Sequence, residues 1–570
     1  MLFNIFINDL LEDQEEISGV DVPTGSQARG FHSALKVGGA LFADDAVGLS
    51  PNIDCARRFC DRITEWSEAN EMAVGIRKCG VMEFLPDPKD PPVLTADHAL
   101  YTTLQLSGQQ VPLVTEYKYL GLGLTPHLRI SDLVKTRFKL GTRSVHCLMP
   151  FFRCRVLPLS MRWTVLQAVV VSRLLYGAEV YGMNRTLTNT MQTLLNSVMR
   201  TMVGLYWVTQ VPSAPLWDAF RTPPVCALAA GRRARAYKKC FALQTTVGTL
   251  IRMPMLVPKW TWCTGTVRWI NRFAKPYLRE ACEIFQVQGD DGVMRPIDHT
   301  IWPTFPPQQL RDVIVRSLLI RERLNRLAPG HSTGLATNNY FRGGYQPDRN
   351  LTRGRVFCKP REHWGIALVL QCRIGAYMTG PLLVEAERLP PRFGAFCPFC
   401  RQAGPETLYH MFFTCRAWRT IRRKVGLWRT IAKVRRVWHQ KQNSTSNTDA
   451  LFFISSGMAS RTQEQLALSW ILGGIYGRKW GVKGYMPKPP AKELADGDVS
   501  LSDSSDEEAL AGDRNNTVEE QAHLLTVGRF LVTIEPLRRR IISRPTLITQ
   551  NLGDQGPPAP ATSTGQRPDG

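Results

Sequence analysis

Residues 397–415 read CPFCRQAGPETLYHMFFTC, and no other stretch restricts the fold as tightly. Cys397, Cys400, His410 and Cys415 are separated by two, nine and four residues. Three thiolates and one imidazole are a donor set that tetrahedral Zn2+ prefers. To hold one ion, CPFC must make a tight turn, and one helical turn must carry His410 and Cys415 inward together. Three of the 14 cysteines fall within these 19 residues, which random scatter seldom produces. The alternative is four thiol and imidazole groups packed in an ordinary core. The remaining cysteines are scattered singly, as in a reducing compartment.

RAWRTIRRKVGLWRTIAKVRRVWHQK (416–441) follows at once. It carries ten Lys and Arg residues, Arg422, Arg423, Arg435 and Arg436 among them, and no acid. Trp418, Trp428 and Trp438 are interleaved. Cations that neutralise phosphates, set among aromatics that can stack, are the ingredients of RNA or single-strand binding. The competing reading is an amphipathic helix with Trp inward and a solvated basic face. A helix of bases without acids repels itself, which favours a polyanionic partner. The whole chain agrees: 71 Lys+Arg against 48 Asp+Glu give +23 over 570 residues. Ten acids and one base in 493–520 give that segment −9, leaving +32 elsewhere. SDSSDEE within it has nothing to pack and is expected to be disordered, as is the low-complexity tail.

A second unusual stretch is LFADDAVGLS (41–50). Asp44 and Asp45 are adjacent acids inside an apolar run, and a buried carboxylate needs water, a hydrogen-bond partner or a cation. The pattern predicts a hairpin with the acids at its turn, either as ordinary turn residues or as ligands of Mg2+. Alternate strand residues face opposite sides, so a two-metal site needs a further carboxylate from another strand.

Along the rest of the chain, Leu2, Phe3, Phe6 and Leu10 share a helical face. Residues 54–72 predict a helix with Asp54 as N-cap and Phe59, Ile63 and Trp66 on its core face. GIRKCGVMEF (75–84) predicts a strand. LQLSGQQVPLV (104–114) and YKYLGLGLT (117–125) predict two short strands with glycine-bearing turns. Helices are expected from Ser131, as N-cap, onward. One is a long, largely buried helix over 157–182, and others lie at 190–205, near 307–327, near 364–375 and within 523–542. No membrane span is expected. The longest apolar run, 165–175, is interrupted by Gln167, Ser172 and Arg173 and falls well short of the ~20 residues required. With no secretory signal either, a place in the nucleus or cytoplasm is expected.

The order of these segments resembles the reverse transcriptase of LINE-type (non-LTR) retrotransposons. LFNIFINDL is similar to that family's palm helix, and Phe42-Ala43-Asp44-Asp45 to its catalytic hairpin. Lys78 matches a lysine in the next strand, and Tyr119-Leu120-Gly121 a strand near the primer terminus. LLYGAEVYG (174–182) resembles the thumb, and the Cys/His set, with Glu406-Thr407 before His410, a zinc segment found downstream. The resemblance implies an α+β fold. Residues 1–130 would form a partial palm with a small antiparallel sheet, 131–250 a helical thumb and 251–395 a basic, mixed helical connection. The zinc segment and basic helices would occupy 396–480, an acidic linker 481–522, a helix 523–548 and a disordered tail 549–570.

The function implied is RNA-directed DNA synthesis. Asp44, Asp45 and Lys78 would be catalytic, the two Asp on Mg2+, and Tyr119, Leu120 and Gly121 would contact primer or template. RNA template and target DNA would be the partners, and Zn2+ a structural cofactor. The family's first catalytic Asp strand would precede residue 1. The chain alone is therefore expected to be inactive, with the missing polymerase portion as a further partner. Lys78 remains equally readable as a solvated residue, and Tyr117 and Tyr119 as packing. The alternative function is a non-catalytic, zinc-containing RNA- or DNA-binding protein derived from a retroelement.

Overall fold

The computed structural model describes residues 10, 19–24, 33–43, 45–85, 104–205, 213–220, 222–252, 261–282, 286–288, 294–296, 298–327, 360–432, 468, 471–472 and 525–543. Leu2, Phe3, Phe6, Asp44, Arg435, Arg436, Trp438, the acidic linker and the tail lie outside the described residues. The described chain is mostly helical, with small antiparallel hairpins. It divides into two compact units: Met1–His146 with Ala168–Leu195 and Pro223–Arg323, and Cys147–Gln167 with Asn196–Thr222 and Leu324–Gly570.

In the first unit, β1 (Val20–Thr24) pairs with β2 (Ser33–Val37), and β3 (Gly39–Phe42) with β4 (Asp45–Gly48). The expected hairpin at the acids is therefore present, with Phe42 opposite Asp45. Helix α1 (Ile53–Ala69) packs behind it. Its Trp66 is buried with Leu10 and touches Leu41 and Ile63. Its Phe59 ring lies directly on Gly48, where a Cβ would sit 2.1 Å from the ring. The N-cap is Asn52, whose Oδ1 accepts the Cys55 N–H at 2.9 Å, and not Asp54. Asp54 instead occupies the first turn, where an acid complements the helix dipole.

Three further expectations need correcting in this unit. Residues 75–84 do not form a strand: Ile76–Lys78 is a 3-10 turn, followed by a single bridge from Val81 to Leu113. The two short strands are two hairpins, β5 (Gln105–Leu106) with β6 (Gln109–Gln110) and β7 (Tyr117–Tyr119) with β8 (Leu122–Leu124). Each turns through two left-handed residues, Ser107-Gly108 at φ +47° and +73° and Leu120-Gly121 at +46° and +75°. That geometry suits tight hairpins, and it halves each expected strand. Helix α2 (Ile130–Arg153) begins at Ile130, so Ser131 lies inside its first turn rather than capping it.

The expected single helix over 157–182 is also broken. Leu159–Val165 passes into a π-helical turn over Leu166–Val171, and Gly177 at φ +78° ends the run before Ala178–Tyr181. A left-handed residue cannot continue a right-handed helix, and glycine adopts it without a Cβ penalty. Helix α3 (Arg185–Met202) starts earlier than its pattern suggests. Helix α4 (Val225–Ala242) presents Ala227, Ala230, Gly231 and Ala234, against which α5 (Pro307–Leu327) sets Leu310, Val313 and Ile314. A Cβ at Gly231 would reach within 2.5 Å of Val315, so the small stripe is what allows this approach.

In the second unit, α6 (Pro360–Arg373) is apolar on most sides and correspondingly buried, from Ala367 to Leu370 without exposure. A helix over 525–542 lies against it. Val527, Phe530, Leu531 and Ile534 are all buried, spaced as one helical face. Gly365 and Gly528 meet backbone to backbone, a Cβ at Gly365 falling 2.7 Å from the Gly528 carbonyl oxygen. No helix among the described residues is long and apolar enough to cross a membrane.

Candidate functional site

The Cys/His segment lies in the second unit, and each donor is placed by its own backbone device. Phe396 bridges Ala403 and Gly404, closing a knuckle in which Cys397 N–H donates to the Gln402 carbonyl and Arg401 N–H to the Cys397 carbonyl. Cys397 and Cys400 thereby face the same side. His410 and Cys415 sit at the ends of a π-helical turn, His410–Thr414, closed by Cys415 N–H on the His410 carbonyl at 2.7 Å. This corrects the expectation of an ordinary helical turn. Five residues along an α-helix rotate by about 500°, leaving the second side chain about 140° from the first. The wider i→i+5 turn brings the two donors together, as such bulges do at functional sites.

The four donor atoms lie within 4.8 Å of one another. Cys397 Sγ and Cys415 Sγ are 3.9 Å apart, and Cys400 Sγ and His410 Nε2 3.2 Å. Cys397 and Cys415 are buried, while Cys400 and His410 are half-buried. Thr414 Oγ1 stands 3.0 Å from His410 Nδ1, which fixes Nε2 as the nitrogen facing the thiols. Thr407 Oγ1 accepts the His410 backbone N–H at 3.1 Å. Without an ion, the hydrogen bond to Cys415 and then burial push the Cys397 thiol well up, and burial raises Cys400. Burial, aided by the Arg422 charge, keeps His410 below its usual range and thus neutral, as a ligand must be. A divalent cation at the centre reverses the penalty on the thiolates. This set can hold a metal ion such as zinc.

Two interactions brace the set from outside, and sequence reasoning missed both. Arg422 is buried, its Nη1 donating to the Met411 carbonyl at 3.1 Å and its Nη2 to the Cys415 carbonyl at 2.7 Å. Its guanidinium is committed to the π turn, whereas Arg423 beside it is exposed. The second brace is a buried bidentate pair, with Arg538 Nε and Nη2 each 2.8 Å from the Glu406 carboxylate. Arg538 also donates to the Met378 carbonyl, and its guanidinium lies over the rings of Tyr377 and Phe399. Tyr377 donates to Glu535 at 2.7 Å. The signal was present in the sequence: Arg538 continues the stripe Val527, Phe530, Leu531, Ile534, and a charge on a buried face demands a partner.

The basic run after the knuckle is not one helix. Arg416–Trp418 is a 3-10 turn, Arg419–Lys424 is α-helical, and Gly426 at φ +78° separates it from a helix over 427–432. Trp418 is buried against Phe399, while Trp428 is 50% exposed.

In the first unit, Asp45 opens β4 and is exposed, with Phe42 exposed opposite it. Lys78 is exposed on its turn, and its carbonyl accepts the Tyr117 hydroxyl at 2.7 Å. Burial and then nearby Cys79 and Asp45 raise the Tyr117 phenol, and burial and then Asp45 raise Tyr119. Asp45 is thus near enough to both phenols for its charge to act on them. The Leu120-Gly121 turn is clamped, with the Tyr176 hydroxyl on the Leu120 carbonyl at 2.6 Å and Arg137 on the Gly121 carbonyl. Among the described residues, no further carboxylate joins Asp45 in a metal-holding group. No protein-family model matches the chain, and no curated protein does.

Proposed function

We propose that the chain is a nucleic-acid-binding portion of a LINE-type reverse transcriptase, an RNA-directed DNA polymerase, with zinc at Cys397, Cys400, His410 and Cys415. The observation that supports the reading is the metal set. A Cys3His group with an arginine-rich surface lies downstream, in the same chain, of the hairpin that carries Asp45 and the turn that carries Tyr119, Leu120 and Gly121. Zinc suits the donors: two sulfurs at ~2.3 Å from a tetrahedral ion stand about 3.8 Å apart, and Cys397 and Cys415 are separated by 3.9 Å. Asp44 and Asp45 would take Mg2+, and Tyr119, Leu120 and Gly121 would approach the primer end. The alternative is a non-catalytic zinc-containing nucleic-acid binder: a two-metal site takes a carboxylate from a second strand, and among the described residues none joins Asp45.

Primer extension tests the reading. The 570-residue chain with Mg2+ or Mn2+ is expected to bind a primed RNA template and not to extend the primer. Extension that is lost in Asp45→Ala would show a complete polymerase site. Failure to bind the template would remove the reading altogether.

A further inference from the structure

Beside the metal set, in the same unit, lies a cleft of about 460 Å³. Arg416, Arg419, Arg422 and Arg423 line it together with Phe413 and Trp428, and among the described residues no acid does. Arg416, Arg419 and Arg423 are exposed and make no ion pair among the described residues. Trp428 is half exposed, an unusual position for so large an apolar ring, and the Arg429 guanidinium stands 5.5 Å from its centre. Arginines supply charge for phosphate, and an indole face supplies a stacking platform that accepts any base. The volume lies within the range of small-ligand pockets, too small for a duplex groove. In a duplex each base is already stacked, so only an unpaired nucleotide has a face to offer the indole.

The cleft is also tied to the metal. Arg422, which forms its inner wall, is held by the Met411 and Cys415 carbonyls, that is, by the π turn between two of the metal ligands. Structural zinc contributes folding energy to the segment that binds it. Without the ion, that turn loses its tie and Arg422 its fixed acceptors.

We propose that this cleft binds one unstacked nucleotide of a single-stranded nucleic acid, its base on Trp428 and its phosphate among Arg416, Arg419 and Arg423, and that the metal centre holds the cleft in shape through Arg422. The proposal rests on the nucleic-acid reading above and adds the site, the strandedness and the dependence on metal.

Fluorescence anisotropy of the full chain with a labelled oligonucleotide of about 12 nucleotides tests it. The arms are RNA and DNA, each single-stranded and annealed. Single strands are expected to bind at least about tenfold more tightly than duplexes. Trp428→Ala is expected to lower single-strand affinity roughly 5- to 150-fold without altering the salt slope, and Trp428→Phe to retain most of it. The double change Arg419→Gln/Arg423→Gln, which leaves only Arg416 on the phosphate, is expected to flatten the slope by up to about 0.7.

Removing the ion, by chelation or Cys400→Ser, is expected to weaken binding so that Trp428→Ala adds no further loss. A preference for RNA would show that the 2′-hydroxyl is read as well, and equal affinity that base and phosphate suffice; both support the site. Normal binding by Trp428→Ala and by the arginine pair, in variants whose melting is unchanged, would overturn the cleft while leaving the nucleic-acid reading standing. Full Trp428-dependent binding by metal-free chain would overturn the coupling. Absence of binding to every probe would remove this proposal together with the reading on which it rests.

Discussion

Cys400 is a half-buried thiol of the metal set, 3.2 Å from His410 Nε2. Cys400→Ser is therefore expected to release the ion, with elemental analysis falling from one zinc per chain towards none; unchanged zinc would remove Cys400 from the donor set. Glu535 gives a test by pH. Burial opposes its charge, but Arg538, the Tyr377 hydroxyl and Arg539 outweigh it and hold its carboxyl below the usual range. Such a group contributes stability above its unfolded value and loses it as pH falls through the lower folded value. Burial pulls the Glu406 carboxyl the other way, up, more than Arg538 offsets. Glu535 adds to that rise, so comparison with Glu535→Gln reads the loss of the Glu535 charge together with its effect on Glu406. Wild type is expected to melt higher than Glu535→Gln at neutral pH, and the gap to close as pH falls below about 4.5. A gap independent of pH would show that the carboxylate charge is not what Glu535 contributes. At this scale the donors were legible from spacing alone. Arg538 and Glu406 were not paired, because 132 residues separate them and neither helix periodicity nor motif spacing reaches that far.

Elements were legible where apolar periodicity was strong, as in α1, α5 and the helix over 525–542. They were misread where a single backbone residue decides the path. Gly177 splits a run whose composition is helical throughout, and Leu120-Gly121 folds one apparent strand into two. The π turn at His410 was hidden because its residues are as helical by composition as any others. The helix over 525–542 depends on the glycine contact with α6. Gly365→Ala sets a Cβ 2.7–2.9 Å from the Gly528 backbone, which cannot withdraw without moving the helix. A loss of about 1–3 kcal/mol is expected, read as faster amide exchange over 525–542 than over 427–432. Gly528→Ala meets Gly365 at 3.1–3.4 Å and is expected to cost less. Equal, unaltered exchange in both variants would mean that the two helices do not depend on this approach.

For the molecule as a whole, charge is the property the sequence showed most plainly. Its net charge of +23 follows from residue counts, and the Arg-lined cleft is where the fold gathers part of it beside an aromatic face. The interleaving of the chain between two units was not visible, because segments far apart in sequence build each unit and no local pattern announces that. Nucleic-acid binding is the function on which both proposals stand, and phosphate contacts release counterions in proportion to their number. The most direct measurement is the affinity of the zinc-loaded 570-residue chain for a labelled RNA strand as salt rises from about 50 to 200 mM. The logarithm of affinity is expected to fall linearly with the logarithm of salt, with a slope of at least about −0.7 for the phosphate in the cleft and steeper by ~0.7 for each further phosphate neutralised. An affinity that ignores salt, or no binding at the lowest salt, would contradict it.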